Sequence, residues 1–273
     1  MTRLDGTRAV VTGAGGGLGR SIARALAPRG GRVLVADINL AGAEETARLV
    51  EAAGGRAHAV RADVSDYDEV ARLAAEAERL WGGTDLLVNN AGVGIGGAID
   101  GIPVDDWKWA VGVNFWGPVY GCRVFSAGFK RQRGGHILNV ASAAGLLSAP
   151  EMAPYNATKA AVVALSETLH AELAPFGVGV TVLCPTFFQT EIVSSGRLHS
   201  RDSAAIAQKL MARAKLQSDD VARLALEGVE AGKLYVVPHP DGRWLWRLKR
   251  LAPEPFYHQL LPRLSKLRGR SAP

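Results

Sequence analysis

The residues with the clearest capacity for chemistry are a tyrosine and a lysine, Tyr155 and Lys159, four positions apart in an alanine-rich segment that favours a helix. Residues at i and i+4 of a helix lie on the same face, so the phenol and the ammonium are expected side by side. A nearby cation favours the phenolate and lowers the tyrosine pKa from its usual value of about 10. Such a pair could transfer protons, although an exposed Tyr and Lys on a solvated helix face would show the same spacing.

Short apolar segments alternate with helical patterns and predict the scaffold that would position this pair. Strands are predicted at residues 8–12, 32–36, 57–62, 86–88, 136–140, 178–183 and 234–237. Helices are predicted at about residues 18–27, 41–52, 67–81, 105–132 and 153–174. The long helix is expected to be distorted at residues 114–118, since Pro118 removes a backbone donor. The pattern predicts an α/β fold, a doubly wound parallel sheet of seven strands that is Rossmann-like, with helices on both faces.

A glycine-rich loop joins the first strand to its helix and predicts a phosphate-binding site. Glycine permits a tight turn and lets the backbone approach a pyrophosphate closely, and the helix N-terminus presents free N–H groups to the phosphates. Thr12, which opens the loop, is as consistent with a structural role as with cofactor binding. The loop residues expected to bind the cofactor are Gly13, Gly16, Gly17, Leu18 and Gly19.

The end of the second strand predicts which dinucleotide would bind. Asp37 closes this strand, and a carboxylate there can accept hydrogen bonds from ribose hydroxyls while repelling a 2′-phosphate. Position 16 is a glycine and position 38 is Ile38, so neither offers a cation to a 2′-phosphate. The sequence therefore favours NAD over NADP, against the alternative of a surface aspartate that only ends a strand.

These residues form an ordered set of motifs that resembles the short-chain dehydrogenases/reductases, in the subgroup built as a single Rossmann-like domain. The resemblance covers about residues 4 to 237. The matching motifs are Thr12-Gly13-x-x-x-Gly17-x-Gly19, Asp63-Val64, Asn89-Asn90-Ala91-Gly92, Asn114, Ser142 and Tyr155-x-x-x-Lys159.

The resemblance implies a catalytic role for four of these residues. Tyr155 corresponds to the general acid/base, which exchanges a proton with the substrate hydroxyl while hydride moves to or from the nicotinamide. Lys159 corresponds to the residue that lowers the tyrosine pKa and binds the nicotinamide ribose. Ser142 would donate a hydrogen bond to the substrate oxygen. Asn114 would hold a water molecule of the proton relay.

The remaining motif residues are implied to surround the cofactor. Asp63 and Val64 correspond to the adenine pocket. Asn90 is expected mainly to hold the sheet together, beside Ala91 and Gly92 on the pocket floor. After the sixth strand the family usually has Pro-Gly and a later Thr. Here Pro185 and Thr190 match, so Thr190 could hold the carboxamide, but Thr186 replaces the glycine and leaves the local backbone geometry open.

Histidine and cysteine usage predicts neither a metal site nor a disulfide. The six histidines are scattered with no pair at metal-ligand spacing, which argues against a zinc-dependent alcohol dehydrogenase. The resemblance likewise implies that no metal is needed. Cys122 and Cys184 lie far apart in apolar segments and are expected to be buried free thiols.

Apolar residues are expected around the substrate. They fall at residues 144–149, at Phe187 and Phe188, and at residues 93–95, while residues 191–216 are a candidate helical lid that includes Leu198, Ile206, Leu210 and Met211. An apolar pocket suits a secondary alcohol or ketone on a hydrophobic body. Simple core packing of these residues is an equal alternative.

The net charge of +6 is concentrated at the C-terminus, where residues 239–273 hold eight Lys/Arg and two Asp/Glu, leaving 24 of each sign in residues 1–238. A nucleic-acid partner is therefore not expected.

We divide the chain into a Rossmann-like NAD-binding catalytic domain at 1–238 and a basic amphipathic extension at 239–273. In the extension, Trp244, Leu248 and Leu251 share helical spacing, and a second stretch runs through Phe256, Leu260, Leu264 and Leu267. Packing on the protein or a partner subunit and peripheral membrane contact both remain open.

The leading hypothesis is an NAD-dependent oxidoreductase that interconverts a secondary alcohol and a ketone. One alternative is an NADPH-dependent 3-ketoacyl (carrier protein) reductase, against which Asp37 argues. The other is a non-catalytic dinucleotide-binding regulator, which would not need all of Tyr155, Lys159, Ser142 and Asn114. The resemblance implies a homodimer or homotetramer. The absence of a long apolar run or a signal-peptide core predicts a cytoplasmic location, with membrane association as an open addition.

Overall fold

The computed structural model describes residues 2–190, 192–193, 195–199 and 201–263. The strands are β1 Arg8–Thr12, β2 Arg32–Asp37, β3 Arg56–Arg61, β4 Leu86–Asn89, β5 Ile95–Gly96, β6 His136–Val140, β7 Gly179–Leu183, β8 Arg197–Leu198 and β9 Tyr235–Val236. Seven of them form one parallel sheet in the order β3-β2-β1-β4-β6-β7-β9, which confirms the predicted fold class. The two-residue strands β5 and β8 pair with each other in a separate ribbon that the sequence pattern did not predict.

Helices cover both faces of the sheet. They are α1 Gly17–Leu26, α2 Leu40–Ala52, α3 Tyr67–Trp81, α4 Val104–Val111, α5 Gly117–Gln132, α6 Ala143–Leu147, α7 Ala153–Leu173, α8 Arg201–Ala212, α9 Ser218–Glu230, α10 Pro240–Leu251 and α11 Pro253–Pro255. Side chains of α1, α2 and α9 form one apolar core with the strands, whereas α3, α5 and α7 form the core on the opposite face. The central strands are buried on both sides, which explains their continuous apolar runs.

The predicted long helix at 105–132 is two helices, α4 and α5, joined by a π-helical turn at Gly112–Trp116. The distortion was expected from Pro118. Because Pro118 lies in the first turn of α5, where proline is tolerated, the irregular hydrogen bonding falls just before it. This turn carries Asn114, whose side chain is completely buried.

The predicted lid and the extension are only partly helical. Within the lid candidate, α8 covers Arg201–Ala212, while Leu198 belongs to the short strand β8. The side chain of Ile206 and the whole of residue 191 lie outside the described residues. The extension contains α10, α11 and a π turn at Phe256–Leu260, and Leu264 and Leu267 lie outside the described residues. No helix that the structure describes is both long and apolar enough to span a bilayer.

Candidate active site

The candidate site lies at the carboxyl edge of the sheet, where the strand order reverses between β1 and β4. In open α/β sheets ligands bind at this switch point, because the loops on its two sides diverge and leave a crevice. The glycine loop follows β1, and residues 90–93 follow β4 on the other side of the switch.

Two glycines of the loop have geometries that exclude a side chain. Gly13 has a φ of +61°, and a Cβ there would lie 2.6 Å from the Cα of Ala91. A Cβ on Gly19 would lie 2.6 Å from the Nδ2 atom of Asn90. The absence of both side chains lets the loop pack against the segment after β4.

Hydrogen bonds from Thr12 and Asn90 hold the loop in this position. The Asn90 Nδ2 atom donates to the carbonyl oxygens of Thr12 and Gly13, both at 2.9 Å. The Thr12 hydroxyl donates to Val88 O and accepts from the backbone N–H groups of Asn90 at 3.0 Å and Ala91 at 3.1 Å. These contacts show that Thr12 and Asn90 both join the loop to the segment after β4, and cofactor contact by either residue stays a prediction.

The N-terminus of α1 is open toward the loop. Within the described part of the chain, Gly16 caps the helix with extended backbone and no side-chain hydrogen bond, and the first turn contains no acidic residue. The N–H groups of Gly17, Leu18 and Gly19 therefore face no competing carboxylate cap at this end of the helix. With the partial positive charge of the helix terminus, they suit a pyrophosphate.

Asp37 is hydrogen-bonded to the glycine loop. Its carboxylate accepts from Gly15 N at 2.8 Å and from Asn39 N at 2.9 Å. Ile38, beside it, is 59% exposed. The structure also brings a cation to the loop that sequence reasoning missed: Arg20, one turn into α1, donates to Gly15 O and, at 2.9 Å, to the Thr46 hydroxyl. Arg20 stands four residues after Gly16, so the sequence already placed it one helical turn from the loop.

Asp63 and Val64 lie just after β3, at the same edge of the sheet. The Asp63 carboxylate accepts from the backbone N and the hydroxyl of Ser65, at 2.9 and 2.7 Å. Val64 is buried against Gly117, where a Cβ would lie 2.9 Å from a Val64 methyl. Both residues lie at the carboxyl edge of the sheet, and their place in an adenine pocket stays a prediction.

Asn114 anchors the segment after β4. Its Oδ1 atom accepts from Val93 N at 2.8 Å, and its Nδ2 atom donates to Val93 O at 2.9 Å. A Cβ on Gly92 would lie 3.2 Å from Asn114 Oδ1 and 3.3 Å from Lys159 Nζ, so a side chain there would be tight against both groups. Asn114 and Lys159 thus face a common space, and the water-holding role of Asn114 stays a prediction.

Ser142, Tyr155 and Lys159 come together at the end of β6. Lys159 is 3% exposed and donates from Nζ to Val140 O at 2.9 Å, with the Tyr155 ring centroid 5.7 Å away. The Ser142 hydroxyl lies close enough to Tyr155 to lower the pKa of the phenol. Ser142 also lies 3.4 Å from Pro185 O, which accepts the Ala143 N–H at 2.8 Å. Pro185 therefore supports the serine from the segment that follows the neighbouring strand, β7.

Burial dominates the ionisation of this group. It raises the pKa of Tyr155 to about 12, although the nearby Ser142 hydroxyl acts to lower it. Burial also lowers the pKa of Lys159 to about 8. In the free protein burial thus holds the pKa of Tyr155 above its usual value, because the phenolate is removed from water, and the lowering of this pKa by Lys159 stays a prediction.

Apolar side chains surround Tyr155, and sequence reasoning missed most of them. Tyr155 belongs to a buried cluster with Ile95, Ile102 and Ala110, packed by the partly buried residues Trp107, Trp109, Ala144, Met152 and Ile192. The two tryptophans come from α4, and their only sequence signal was an alternating Trp-Lys-Trp.

Thr190 is partly buried on the loop after β7, and its contact with the nicotinamide carboxamide stays a prediction.

Comparison with known proteins identifies the family. The family model described as short chain dehydrogenase matches residues 7–200. The chain belongs to the short-chain dehydrogenases/reductases. It is an oxidoreductase of this family, as the motif resemblance predicted.

Individual relatives agree with this family assignment. A short-chain dehydrogenase/reductase from Burkholderia phymatum, solved in complex with NAD, has a TM-score of 0.88 and 37% identity, covering 93% of this chain and 96% of that one. The C alpha-dehydrogenase of Sphingobium sp. is 31% identical, covering 86% of this chain and 81% of that protein. Probable oxidoreductase EphD of Mycobacterium tuberculosis is 34% identical over 89% of this chain, which spans only 43% of that relative.

Proposed function

We propose that this short-chain dehydrogenase/reductase interconverts a secondary alcohol and a ketone on a hydrophobic substrate, with NAD as the cofactor. The observation that carries the proposal is the grouping of the Tyr155 and Ser142 hydroxyls beside Lys159 at the open edge of the sheet. A regulator that only bound a dinucleotide would not need this group.

The residues divide the proton chemistry between them. Bound NAD supplies the hydride acceptor for oxidation and, when reduced, the hydride donor for reduction. In oxidation, Tyr155 removes the proton of the substrate hydroxyl, and in reduction it returns a proton to the ketone oxygen. Ser142 donates a hydrogen bond to that oxygen while negative charge develops on it. The Lys159 ammonium, fixed on Val140 O, favours the phenolate form of Tyr155.

The residues present fit a dinucleotide. The crevice offers an uncapped helix N-terminus for phosphates, a floor on which Gly92 leaves room beside Lys159, and a carboxylate at the end of β2. Asp37 favours NAD, since its charge would repel a 2′-phosphate. The cofactor carried by the Burkholderia relative supports the same choice. Arg20 adds a cation near the loop, but it is already hydrogen-bonded to Gly15 O and Thr46. The preference for NAD over NADP is therefore tested at Asp37.

The hydrophobic character of the substrate is inferred from the cluster around Tyr155. Ile95, Ile102 and two tryptophans of α4 surround the general acid/base, so a substrate that reaches Tyr155 also meets apolar side chains. Burial of apolar surface would contribute about 25 cal/mol per Å² to binding.

The test is a panel of secondary alcohols of increasing chain length, assayed by NAD⁺ reduction at 340 nm, with NADP⁺ in parallel and Tyr155→Phe as the inactive control. We expect activity that grows with hydrophobic chain length and at least a tenfold preference for NAD⁺, which Asp37→Ser should reduce. An inactive wild-type enzyme with every alcohol and ketone, or full activity of Tyr155→Phe, would reject the proposed function.

We propose a homodimer or homotetramer as the assembly. The supporting observation is an aromatic group on α3, the π turn and α5: Trp116 stacks on Tyr120 at 5.6 Å, and Tyr120 meets the Tyr67 ring edge-on at 5.4 Å. Trp116 is 45% exposed and Tyr67 40% in the single chain. Light scattering coupled to size exclusion would measure the mass, and a monomer at micromolar concentration would reject this assembly.

We also propose that residues 1–238 form a catalytic domain and that residues 239–273 form an extension to it. The protein is proposed to lie in the cytoplasm, where α10 contacts anionic membranes. Two of the three residues in the apolar stripe predicted for this helix are exposed, Trp244 at 59% and Leu251 at 85%, while Leu248 is partly buried. Arg243, Arg247 and Arg250 are exposed on the same helix. Tryptophan and leucine among arginines suit an anionic lipid surface.

Liposome co-sedimentation tests this membrane contact. A Trp244→Ser/Leu251→Ser variant is preferable to truncation at Pro238, because the extension buries Phe256 against the protein. We expect the full chain, but not the double variant, to sediment with vesicles containing phosphatidylserine. A matched Ile99→Ser/Val104→Ser variant, altered at two exposed apolar residues elsewhere, should sediment like the wild type. Equal recovery of all three proteins in the supernatant would reject the contact.

A further inference from the structure

The short helix α6 lies between the candidate catalytic residues and the C-terminal extension. It begins after Ser142, whose Oγ accepts a hydrogen bond from Ala144 N at 3.1 Å. A Cβ on Gly145 would lie 2.6 Å from the carbonyl of Lys159, so α6 packs directly on the backbone of α7. Any shift of α6 would therefore move Ser142 relative to Tyr155 and Lys159.

The other end of α6 is capped by the extension. The Nζ atom of Lys249, in α10, donates to Leu146 O at 2.7 Å. The Tyr257 hydroxyl lies 3.5 Å from Leu147 O, and the Lys249 ammonium lies 5.3 Å from the centroid of the Tyr257 ring. The last carbonyls of a helix lack intrahelical partners and carry partial negative charge, so a lysine ammonium stabilises this end.

Independent contacts fix α10 in place to provide this cap. Trp246 packs on Tyr235 with ring centroids 4.9 Å apart, and a Cβ on Gly242 would lie 2.7 Å from the Thr186 methyl. His239, just before α10, accepts a hydrogen bond from Thr186 N at 3.2 Å. The extension thus contacts both segments that follow strands at the substrate side, the one after β6 and the one after β7.

We propose that Lys249 is a positioning residue for the reaction, acting through α6 to hold Ser142 at the distance from Tyr155 that proton transfer requires. The helix has five residues, or about 7.5 Å at 1.5 Å per residue, so the cap at Leu146 and the hydroxyl at Ser142 belong to one rigid unit. The catalytic part of this inference rests on the proposed function. The anchoring of α6 by Lys249 does not.

The first experiment measures anchoring without catalysis. Hydrogen exchange of peptides covering residues 142–152 is compared in the wild type, Lys249→Met, Lys249→Arg and the control Lys215→Met, which changes an exposed lysine before α9. We expect exchange in this segment to be at least fivefold faster in Lys249→Met alone, with residues 8–26 unchanged in all four proteins. Equal exchange in the wild type and Lys249→Met would overturn the proposal.

The second experiment asks whether Lys249 acts through Ser142. We expect Lys249→Met to lower kcat/KM for the best alcohol about tenfold, with NADH affinity in the absence of substrate changed less than twofold. In a Ser142→Ala background the same change should cost less than twofold, because coupled residues are not additive. Lys249→Arg, which keeps a positively charged donor, should restore activity to within about twofold of the wild type.

The outcomes distinguish the anchoring of α6 by Lys249 from the effect of Lys249 on the reaction. An equal tenfold loss in both backgrounds, or the same loss in Lys215→Met, would overturn the positioning role. If the wild type oxidised no alcohol, the proposed function would fail, while the exchange rates would still decide whether Lys249 holds α6.

Discussion

The two ends of strand β6 hold buried polar groups that differ in how fully they are satisfied. At the amino end, His136 is completely buried, and its ring nitrogens lie 3.0 Å from the Thr2 hydroxyl and 2.8 Å from the Thr181 hydroxyl. At the carboxyl end, Lys159 donates to Val140 O, and Tyr155 lies beside the Ser142 hydroxyl, which lowers the pKa of the phenol.

Burial shifts the pKa at both ends, so a shifted pKa alone does not distinguish them. It lowers the pKa of His136 to about 4 and raises that of Tyr155 to about 12. The difference lies in the hydrogen bonds left to make. Both nitrogens of His136 have partners, whereas an ammonium has three donors and Lys159 uses one of them among the described residues. Unused donors at an open sheet edge, rather than perturbed ionisation, mark the reactive end.

The largest expected effect is at Tyr155. Tyr155→Phe should lower kcat about 10³-fold, since it removes the proton-transfer group, with little change in Tm because the ring still packs with Ile95 and Ile102. Steady-state assays at 340 nm and thermal unfolding followed by circular dichroism measure the two quantities. A large drop in Tm together with kcat would mean that this end of the strand is as structural as the other.

His136 should govern stability in acid rather than activity. Its pKa is lowered from 6.5 to about 4 in the folded protein, so the unfolded chain binds the proton first as the pH falls. Its contribution is fully present above pH 6.5 and is lost as the pH falls to 4, a change of about 3 kcal/mol in the free energy of unfolding. Urea titrations should show this loss in the wild type and not in His136→Gln. Parallel pH profiles for the two proteins would contradict the prediction.

Ser142→Ala should lower kcat about 10²-fold, in line with the loss of one donor to a developing oxyanion. The free energy of unfolding should change by no more than about 1 kcal/mol, because Ser142 forms one local cap and lies 3.4 Å from Pro185 O. Kinetics and urea unfolding of the same preparation provide the comparison. Wild-type kcat in this variant would remove Ser142 from the reactive group.

The smallest effect should come from Thr2. Thr2→Val removes the 3.0 Å contact with His136 Nδ1 and should destabilise the protein by about 1 kcal/mol without changing kcat. Thermal unfolding and the alcohol assay test both parts of this prediction. A fall in kcat would show that the amino end is coupled to the reaction.

The seven strands and most helices could be predicted because buried parallel strands leave continuous apolar runs and helices leave a periodic pattern. The motifs likewise located the candidate site, since the carboxyl ends of parallel strands share one edge. The ribbon of β5 and β8 could not be predicted, because two residues carry no period. The surroundings of Tyr155 depend on how α4 turns its tryptophans, which is a tertiary property.

The extension shows that a periodic apolar pattern can correctly predict a helix without predicting which side of that helix packs on the protein. Trp244 and Leu251 do share one side of α10, but both side chains are exposed. The helix instead packs through Trp246 and Lys249, because the domain presents the Tyr235 ring and the carbonyl of Leu146 there. Backbone carbonyls at a helix end leave no trace in sequence periodicity.

The hydrogen bond from Gly15 N to Asp37 has a thermodynamic consequence. This carboxylate is already held by Gly15 N and Asn39 N before a ligand arrives, so its rotamer freedom is lost on folding and not on binding. Fixing a polar side chain at binding would cost about 0.5–1.5 kcal/mol of affinity. Under the proposed binding of NAD, the half of the crevice that would take its adenosine is therefore preorganised. We expect the oxidised and reduced forms of a dinucleotide, which share that half, to be told apart only at the end where Tyr155 lies.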